Sequence, residues 1–259
     1  MKPQWGADIF STSGSRHALP KNARGSWIGL RRLEGCGGWT SAVARAPSRS
    51  CWPSDVLRWT CRASIRARRN WLVARLRLGA RGAVFVEADA VALPFERQRF
   101  DAVVMALVIF FVPDPAQGVA EMVRVVRPGG LVAPYAWDLL EGGFPFDPIW
   151  QEIRAAGSTP LLPPNPRTGG LGALGDLWRG AGLERVETRQ IVVEHTFASF
   201  EHYWATSTIT GGVRPPLAAM AVEERERPKA RVRARLPTDA MGRLTARARA
   251  NAIKALVPS

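Results

Sequence analysis

The residues of this chain that could hold or turn over a ligand are few, and most gather in one stretch. Glu87-Ala88-Asp89-Ala90 closes a short apolar run, Val84-Phe85-Val86. A carboxylate at that point can accept hydrogen bonds from a ligand, or it can serve only as a turn or cap aspartate. Met105, Ala106 and Leu107 end a second apolar run, and Phe110-Phe111 stand just beyond it. Two such rings can stack on a planar substrate or simply fill a core. Trp137-Asp138 ends a third run, either bordering an open mouth or capping the strand. No histidine lies near these positions, so no general base can be assigned there. His195 and His202, farther along, are candidates for substrate contact, with a structural or solvent-exposed role as the alternative. Cys51 and Cys61 lack a partner pair at zinc spacing and His17 is distant from both, so no metal site is expected.

Positioning those residues requires regular elements, and the pattern supplies them. Residues 84–138 read as strand, acidic turn, strand, helix, Pro-Gly-Gly turn, strand. Phe100 to Val108 is rich in β-branched residues. Pro113 to Val126 has helical spacing, with Val119, Met122, Val123 and Val126 on one face. Asp114 suits the N-cap and Pro115 the first turn. Glu121, Arg124 and Arg127 are assigned to the solvated face, Glu121 and Arg124 at the spacing of a weak pair. Arg127-Pro128-Gly129-Gly130 stops the helix, and Leu131 to Ala136 resumes an extended run. Strands alternating with helices predict a parallel sheet with covered faces, whose ligands sit at the carboxyl edge.

Asp89-Ala90, Leu93-Pro94-Phe95, Phe100-Asp101, Val112-Pro113-Asp114 and Arg127-Pro128-Gly129-Gly130 follow one another at defined spacing. In that order they resemble the class I S-adenosylmethionine-dependent methyltransferases, nearest the small-molecule branch related to the quinone-ring C-methyltransferases. The resemblance implies an α/β fold, a Rossmann-like sheet with helices on both faces. It implies S-adenosyl-L-methionine as cofactor. Asp89 would accept a hydrogen bond from the adenine amino group and Ala90 would offer a backbone N–H. Met105, Ala106 and Leu107 would lie near the methionine moiety, and Phe110, Phe111 and Trp137 near the substrate.

Farther on, residues 142–170 are rich in Gly and Pro around an amphipathic piece from Ile149 to Ala156, and read as a substrate lid. Leu171 to Gly182 reads as a helix with Leu174, Leu177 and Trp178 inward. Leu183 to His195 alternates as a strand near the far edge of the sheet, and Phe197 to Thr206 reads as a helix. Glu223 to Arg235 is a solvated helical face. Thr245 to Ala252 resembles the family's closing strand, at a sheet edge with its arginines outward.

Charge divides the chain. Residues 1–82 hold 16 Lys and Arg against 3 Asp and Glu, whereas residues 83–259 hold 20 against 19. The first part also carries all 3 cysteines and 6 of the 10 tryptophans, with almost no apolar periodicity. Residues 1–82 therefore read as an atypical basic segment, expected to be poorly ordered, and 83–259 as the α/β domain. A net charge of +14 suggests nucleic acid. Its confinement to the atypical segment makes that the lesser reading. No run is long enough for a membrane span and the first residues lack the apolar core of a signal peptide, so a cytoplasmic protein is expected.

The resemblance requires a glycine loop and a second strand ending in a ribose-binding acid before Asp89, and residues 1–83 spell neither. Gly35-Cys36-Gly37-Gly38 is an imitation without a preceding strand. Reading the codons for Gly38 to Pro47 one nucleotide earlier forces Asp at the Trp39/Thr40 junction. The remaining codons permit L-D-V-G-C-G-T-G-A. The same shift from Asp55 to Leu72 permits R-C-A-P-x-D-V-Q-G-I-D, with the second acid at the Ser64/Ile65 junction. Residues 34–78 thus read as an out-of-frame translation restored before Ala83, with a divergent N-terminal extension as the alternative. On this reading the N-terminal strands of the sheet are missing or irregular, and cofactor binding is impaired. The function expected is methyl transfer to a small-molecule acceptor, without metal or membrane. The alternative is a non-catalytic, degenerate relative.

Overall fold

The computed structural model describes residues 40–45, 60–64, 84–209 and 212–259. The glycine cluster at 35–38, His17, two of the cysteines and most of the segment 34–78 lie outside the described residues. Seven strands form one sheet in the order β3-β2-β1-β4-β5-β7-β6. They are β1 (Thr40–Arg45), β2 (Thr60–Ser64), β3 (Val84–Val86), β4 (Phe100–Ala106), β5 (Val126–Trp137), β6 (Glu184–Phe197) and β7 (Leu244–Leu256). Six α-helices accompany them: α1 (Pro115–Val125), α2 (Asp147–Ala155), α3 (Leu171–Gly180), α4 (Phe200–Ser207), α5 (Arg214–Ala219) and α6 (Val222–Arg235). This is the Rossmann-like α/β architecture implied by the resemblance.

The sheet is mixed rather than parallel. β4 and β5 run parallel, as do β2 and β3, but β7 is antiparallel to both β5 and β6. β1 is antiparallel to β4 and to β2. The N-terminal strands are present, and the irregularity lies in the direction of β1. β7 is not an edge strand: it sits between β5 and β6, and β6 forms the edge. Position explains its composition. Ala250, Asn251, Ala252 and Ile253 are buried in succession, so both faces of the strand are covered there. Only Arg247 of its arginines is well exposed, paired with Glu194 on β6, while Nε of Arg249 is buried.

Local chemistry sets the element ends. Asp114 caps α1 by accepting from the Gln117 N–H at 3.0 Å, with Pro115 at the first position. Val119, Met122 and Val125 of α1 are fully buried on the sheet, each stabilising the fold by about 1.5–3 kcal/mol relative to exposure. The helix gives way directly to β5, so the Pro-Gly-Gly segment falls inside the strand. Phe100 pairs Val126 and Ala102 pairs Leu131, so Arg127-Pro128-Gly129-Gly130 is accommodated as a bulge. Gly129 takes φ +69°, which suits a residue without Cβ, and its N–H donates to the Val257 carbonyl. Gly130 has no room for a side chain: a Cβ would stand 2.4 Å from Val126 Cγ1 and 2.8 Å from the Asp101 carbonyl. Asp101 pairs with Arg127 across this bulge at 2.6 Å.

The helix expected over 197–206 starts at Phe200, because β6 continues through Phe197 and Ser199 is the cap, accepting from the His202 N–H at 3.1 Å. Leu174 and Trp178 of α3 are fully buried, and the Trp178 indole N–H faces the Val132 carbonyl at 3.4 Å. No described helix is long and apolar enough to cross a membrane.

Candidate functional site

The parallel pair β4–β5 ends at Ala106 and Trp137, and the candidate residues converge on that edge. Ala106 pairs with Tyr135. β4 stops there, two residues earlier than the pattern suggests, because Leu107 adopts φ +56° while its N–H donates to the Tyr135 carbonyl at 2.8 Å. A left-handed leucine is strained backbone held by its surroundings, a condition that gathers at ligand sites. The chain then makes a short 3-10 turn, Ile109–Phe111.

Met105 is buried, so its side chain belongs to the core. Ala106 and Leu107 are half-buried. Phe110 is 4% exposed and Trp137 8%, which makes both of them walls of the core rather than open platforms. Phe111 is half-buried and meets Phe110 edge-on at 4.7 Å. The reason is the segment 160–170, which runs across this edge. The Asn165 side-chain amide donates to the Val112 carbonyl at 2.6 Å, and its N–H donates to the Phe110 carbonyl at 3.0 Å. A Cβ on Gly169 would lie 2.1 Å from the Trp137 carbonyl and 3.7 Å from the Phe110 ring. The expected lid is thus seated over Phe110 and Trp137. Its helix α2 is fastened to α6: Glu152, 5% exposed, receives Arg231 at 2.8 Å and Arg235 at 3.2 Å.

Asp138 takes the capping role among its two alternatives. Its Oδ1 accepts from the N–H groups of Leu140 and Glu141 at 3.2 and 3.0 Å, and its Oδ2 accepts from the Asn251 amide at 3.2 Å. Asn251 also donates to the Gly169 carbonyl and accepts from the Gln190 amide. This buried network ties segment 160–170 to β6 and β7, and no local pattern singles out Asn251, which is flanked by alanines.

Asp89 and Ala90 follow β3 in a turn. Asp89 Oδ1 accepts from the Val91 N–H at 3.3 Å, and the Asp89 carbonyl accepts from Ala92. The loop lies against α1. A Cβ on Gly118 would stand 3.8 Å from Met105 Cε and 4.0 Å from the Ala90 carbonyl, so the helix passes close to both predicted contacts. Glu121, assigned to the solvated face, is instead 9% exposed. Its carboxylate accepts from the Leu93 N–H at 2.7 Å and from Arg124 at 2.6 and 2.8 Å. Hydrogen bonding from Arg124 holds the Glu121 carboxyl below the usual carboxylate range against the opposing effect of burial. Arg124 also donates to the carbonyls of Phe95 at 2.7 Å and Leu93 at 2.9 Å. The signal was available: Gly118, Glu121 and Val125 are spaced three and four apart on one side of the helix.

His195 and His202 lie elsewhere. The β6–β7 ladder continues past the level of Trp137, which pairs with Ala250, to Phe197 opposite Leu244. His195 packs edge-on against Phe197 at 4.6 Å, and His202 against the same ring at 5.7 Å. Tyr203 joins that cluster, donating to the Pro145 carbonyl, and burial pushes its phenol well above the ordinary value. Among the described residues no cluster of histidine, cysteine or carboxylate could hold a metal.

The described residues fit one end of S-adenosylmethionine and not the other. The Asp89–Ala90 loop, close to Gly118 of α1, presents a carboxylate of the kind that could accept from an adenine amino group. The remainder requires an acidic or glycine-rich turn at the carboxyl end of the strand next to β4. β1 runs the other way: Thr40 pairs with Ala106, while Ala44 pairs with Ala102. Its carboxyl end therefore lies at the opposite edge of the sheet.

Residues 60–133 match the methyltransferase domain family. An uncharacterised protein of Mycobacterium tuberculosis is 43% identical over 53 residues, 20% of this chain and 19% of that protein. Demethylmenaquinone methyltransferase of Roseiflexus castenholzii is 44% identical over 57 residues, 22% of this chain and 24% of the enzyme. The chain thus spans a quarter or less of the length of these curated relatives. The crystal structure of a candidate methyltransferase of Bacillus halodurans aligns with a TM-score of 0.48 at 19% identity, over 76% of this chain and 83% of that one.

Proposed function

We propose that this chain, whose segment 60–133 is of the methyltransferase domain family, is an S-adenosylmethionine-dependent methyltransferase of small molecules, impaired as its sequence is written. The observation that carries the reading is the Asp89–Ala90 loop held against α1 at Gly118, which also approaches Met105 of β4, within the matched segment. When bound, the cofactor would supply a methyl group activated on a sulfonium. The residues of this chain would bind and orient: Asp89 as acceptor for an adenine amino group, Ala90 through its N–H, Ala106 and Leu107 along the other side. Segment 142–170 would exclude water above them, and positioning with desolvation suffices for such a transfer without an acid–base pair. The half-buried Phe111 and the apolar cover favour a small apolar or aromatic acceptor, and the likeness to a quinone-ring enzyme agrees with that class.

The impairment rests on residues 34–78. Their codons permit the missing glycine loop and second acid in the adjacent frame, and β1 as written turns its carboxyl end away from the site. A non-catalytic, degenerate methyltransferase is the second reading, favoured by that same reversal. The nucleotide sequence tests the frame directly: codons that do not spell the glycine loop one nucleotide earlier would end the idea. Isothermal titration with S-adenosylmethionine tests the rest. A frame-restored chain is expected to bind and the chain as written is not; tight binding by the latter would overturn the impairment.

A further inference from the structure

We propose that Glu121 and Arg124 form a positioning clamp that fixes the loop presenting Asp89 and Ala90, so that the adenine end of the site is built from 84–137 without help from the N-terminal segment. The inference rests on the methyltransferase reading only for what the loop binds, and on geometry for the clamp. Successive turns of α1 follow the loop residue by residue. Gly118 faces the Ala90 carbonyl, and the Gln117 amide reaches toward the Val91 carbonyl at 3.5 Å. Glu121 accepts the Leu93 N–H at 2.7 Å. Arg124 donates to the carbonyls of Leu93 at 2.9 Å and Phe95 at 2.7 Å while its Nε holds Glu121 at 2.6 Å.

A surface pair three residues apart on a helix contributes little. This one differs because both partners spend their remaining hydrogen-bonding capacity on loop backbone that α1 could not otherwise satisfy. Leu93 is 5% exposed, so its N–H has little water to turn to if Glu121 is removed. Charge makes these bonds short and strong, and the guanidinium fork matches two carbonyls and a carboxylate at once. Phe95, packed edge-on against Phe100 at 5.1 Å, anchors the far end of the loop to the start of β4. The loop is thereby held along its length, and Asp89 inherits its position from α1.

Amide hydrogen exchange on the full chain tests the clamp without any ligand. In Glu121→Ala the Leu93 amide and its loop neighbours are expected to exchange at least ~10-fold faster, while amides in the middle of α1 keep their wild-type rates. Glu121→Gln, which keeps an acceptor for Leu93 but loses the charge facing Arg124, should give an intermediate increase. Loop rates within twofold of wild type in both variants would overturn the proposal. If Glu121→Ala exchanges everywhere, Glu121→Gln alone decides.

A second readout separates positioning from general weakening. In a frame-restored chain, S-adenosylhomocysteine is expected to bind more tightly than its inosine analogue, which lacks the adenine amino group. Glu121→Ala should erase that preference, whereas simple destabilisation lowers both affinities alike; an unchanged ratio overturns the clamp. If the restored chain binds neither compound, the cofactor reading fails and the exchange result still decides the clamp.

Discussion

β4 has two neighbours in the sheet, and they differ in what they allow. On one side β5 runs parallel, so Ala106 and Trp137 reach the same edge and their following turns share it. On the other side β1 runs antiparallel, so its start rather than its end lies beside Ala106. The first side carries the Leu107 kink, the capping Asp138 and the segment 160–170 seated across it. On the second side β1 starts at that edge and ends at the opposite one. The lesson is that a site at the end of an open sheet is made by direction as much as by composition. A strand in the same place with opposite polarity carries its following turn to the other edge.

The contrast can be broken most severely through the β5 side. Trp178 is fully buried behind Val132, and Trp178→Ala should cost about 3–5 kcal/mol in urea unfolding followed by fluorescence or circular dichroism. A cost under about 1 kcal/mol would mean that the β5 side is less firmly built than its packing indicates. The β1 side is sharpened by a chain in which 34–78 follows the adjacent frame, as the proposed frame-shift would have it. Recovered backbone donors at the glycine loop should tighten S-adenosylmethionine binding at least ~100-fold over the chain as written, read by titration calorimetry.

A smaller effect is expected at the bulge that starts β5. Gly130→Ala forces a Cβ against Val126 and the carbonyls of Asp101 and Arg127. It should cost about 1–3 kcal/mol and lower the melting temperature by several degrees. The smallest effect is a dependence on pH. Glu121 has its pKa lowered by Arg124, with Arg97 adding a weaker attraction, so the ionised form is the one favoured by folding. Its stabilisation is present above the unfolded value and is lost as pH falls through the lowered folded value. Acidification below the ordinary carboxylate range should therefore loosen residues 90–95, seen as faster Leu93 exchange, before the core of α1 responds. Glu121→Gln should remove that pH dependence.

Several features were legible beforehand. The N-cap at Asp114, the inward Leu174 and Trp178, the edge position of β6 and the methyltransferase resemblance of the stretch from Asp89 to Gly130 all follow from local spacing. Others were not. Glu121 looked solvated because its type and its spacing from Arg124 describe an ordinary surface pair; it shares a side of α1 with the buried Gly118 and Val125, but the loop that crosses above that side is not a local property. β7 was placed at an edge only by its resemblance to the family's closing strand, and the pairing of β6 along its outer side puts it inside the sheet. Phe110 and Trp137 looked available for a substrate, and Gly169 and Asn165 lie over them from more than thirty residues away.

By itself the sequence determined most of the strands and helices between Val84 and Arg235, the cap at Asp114, and the methyltransferase resemblance of the stretch from Asp89 to Gly130. Those properties are local, set by side-chain period and turn chemistry. The tertiary structure decided the polarity of β1, the interior place of β7, the burial of Glu121 and the seating of segment 160–170 over Phe110 and Trp137. Each of these depends on backbone hydrogen bonds and covered faces between residues far apart in the chain. A periodic pattern states that a face must be buried without stating what will bury it.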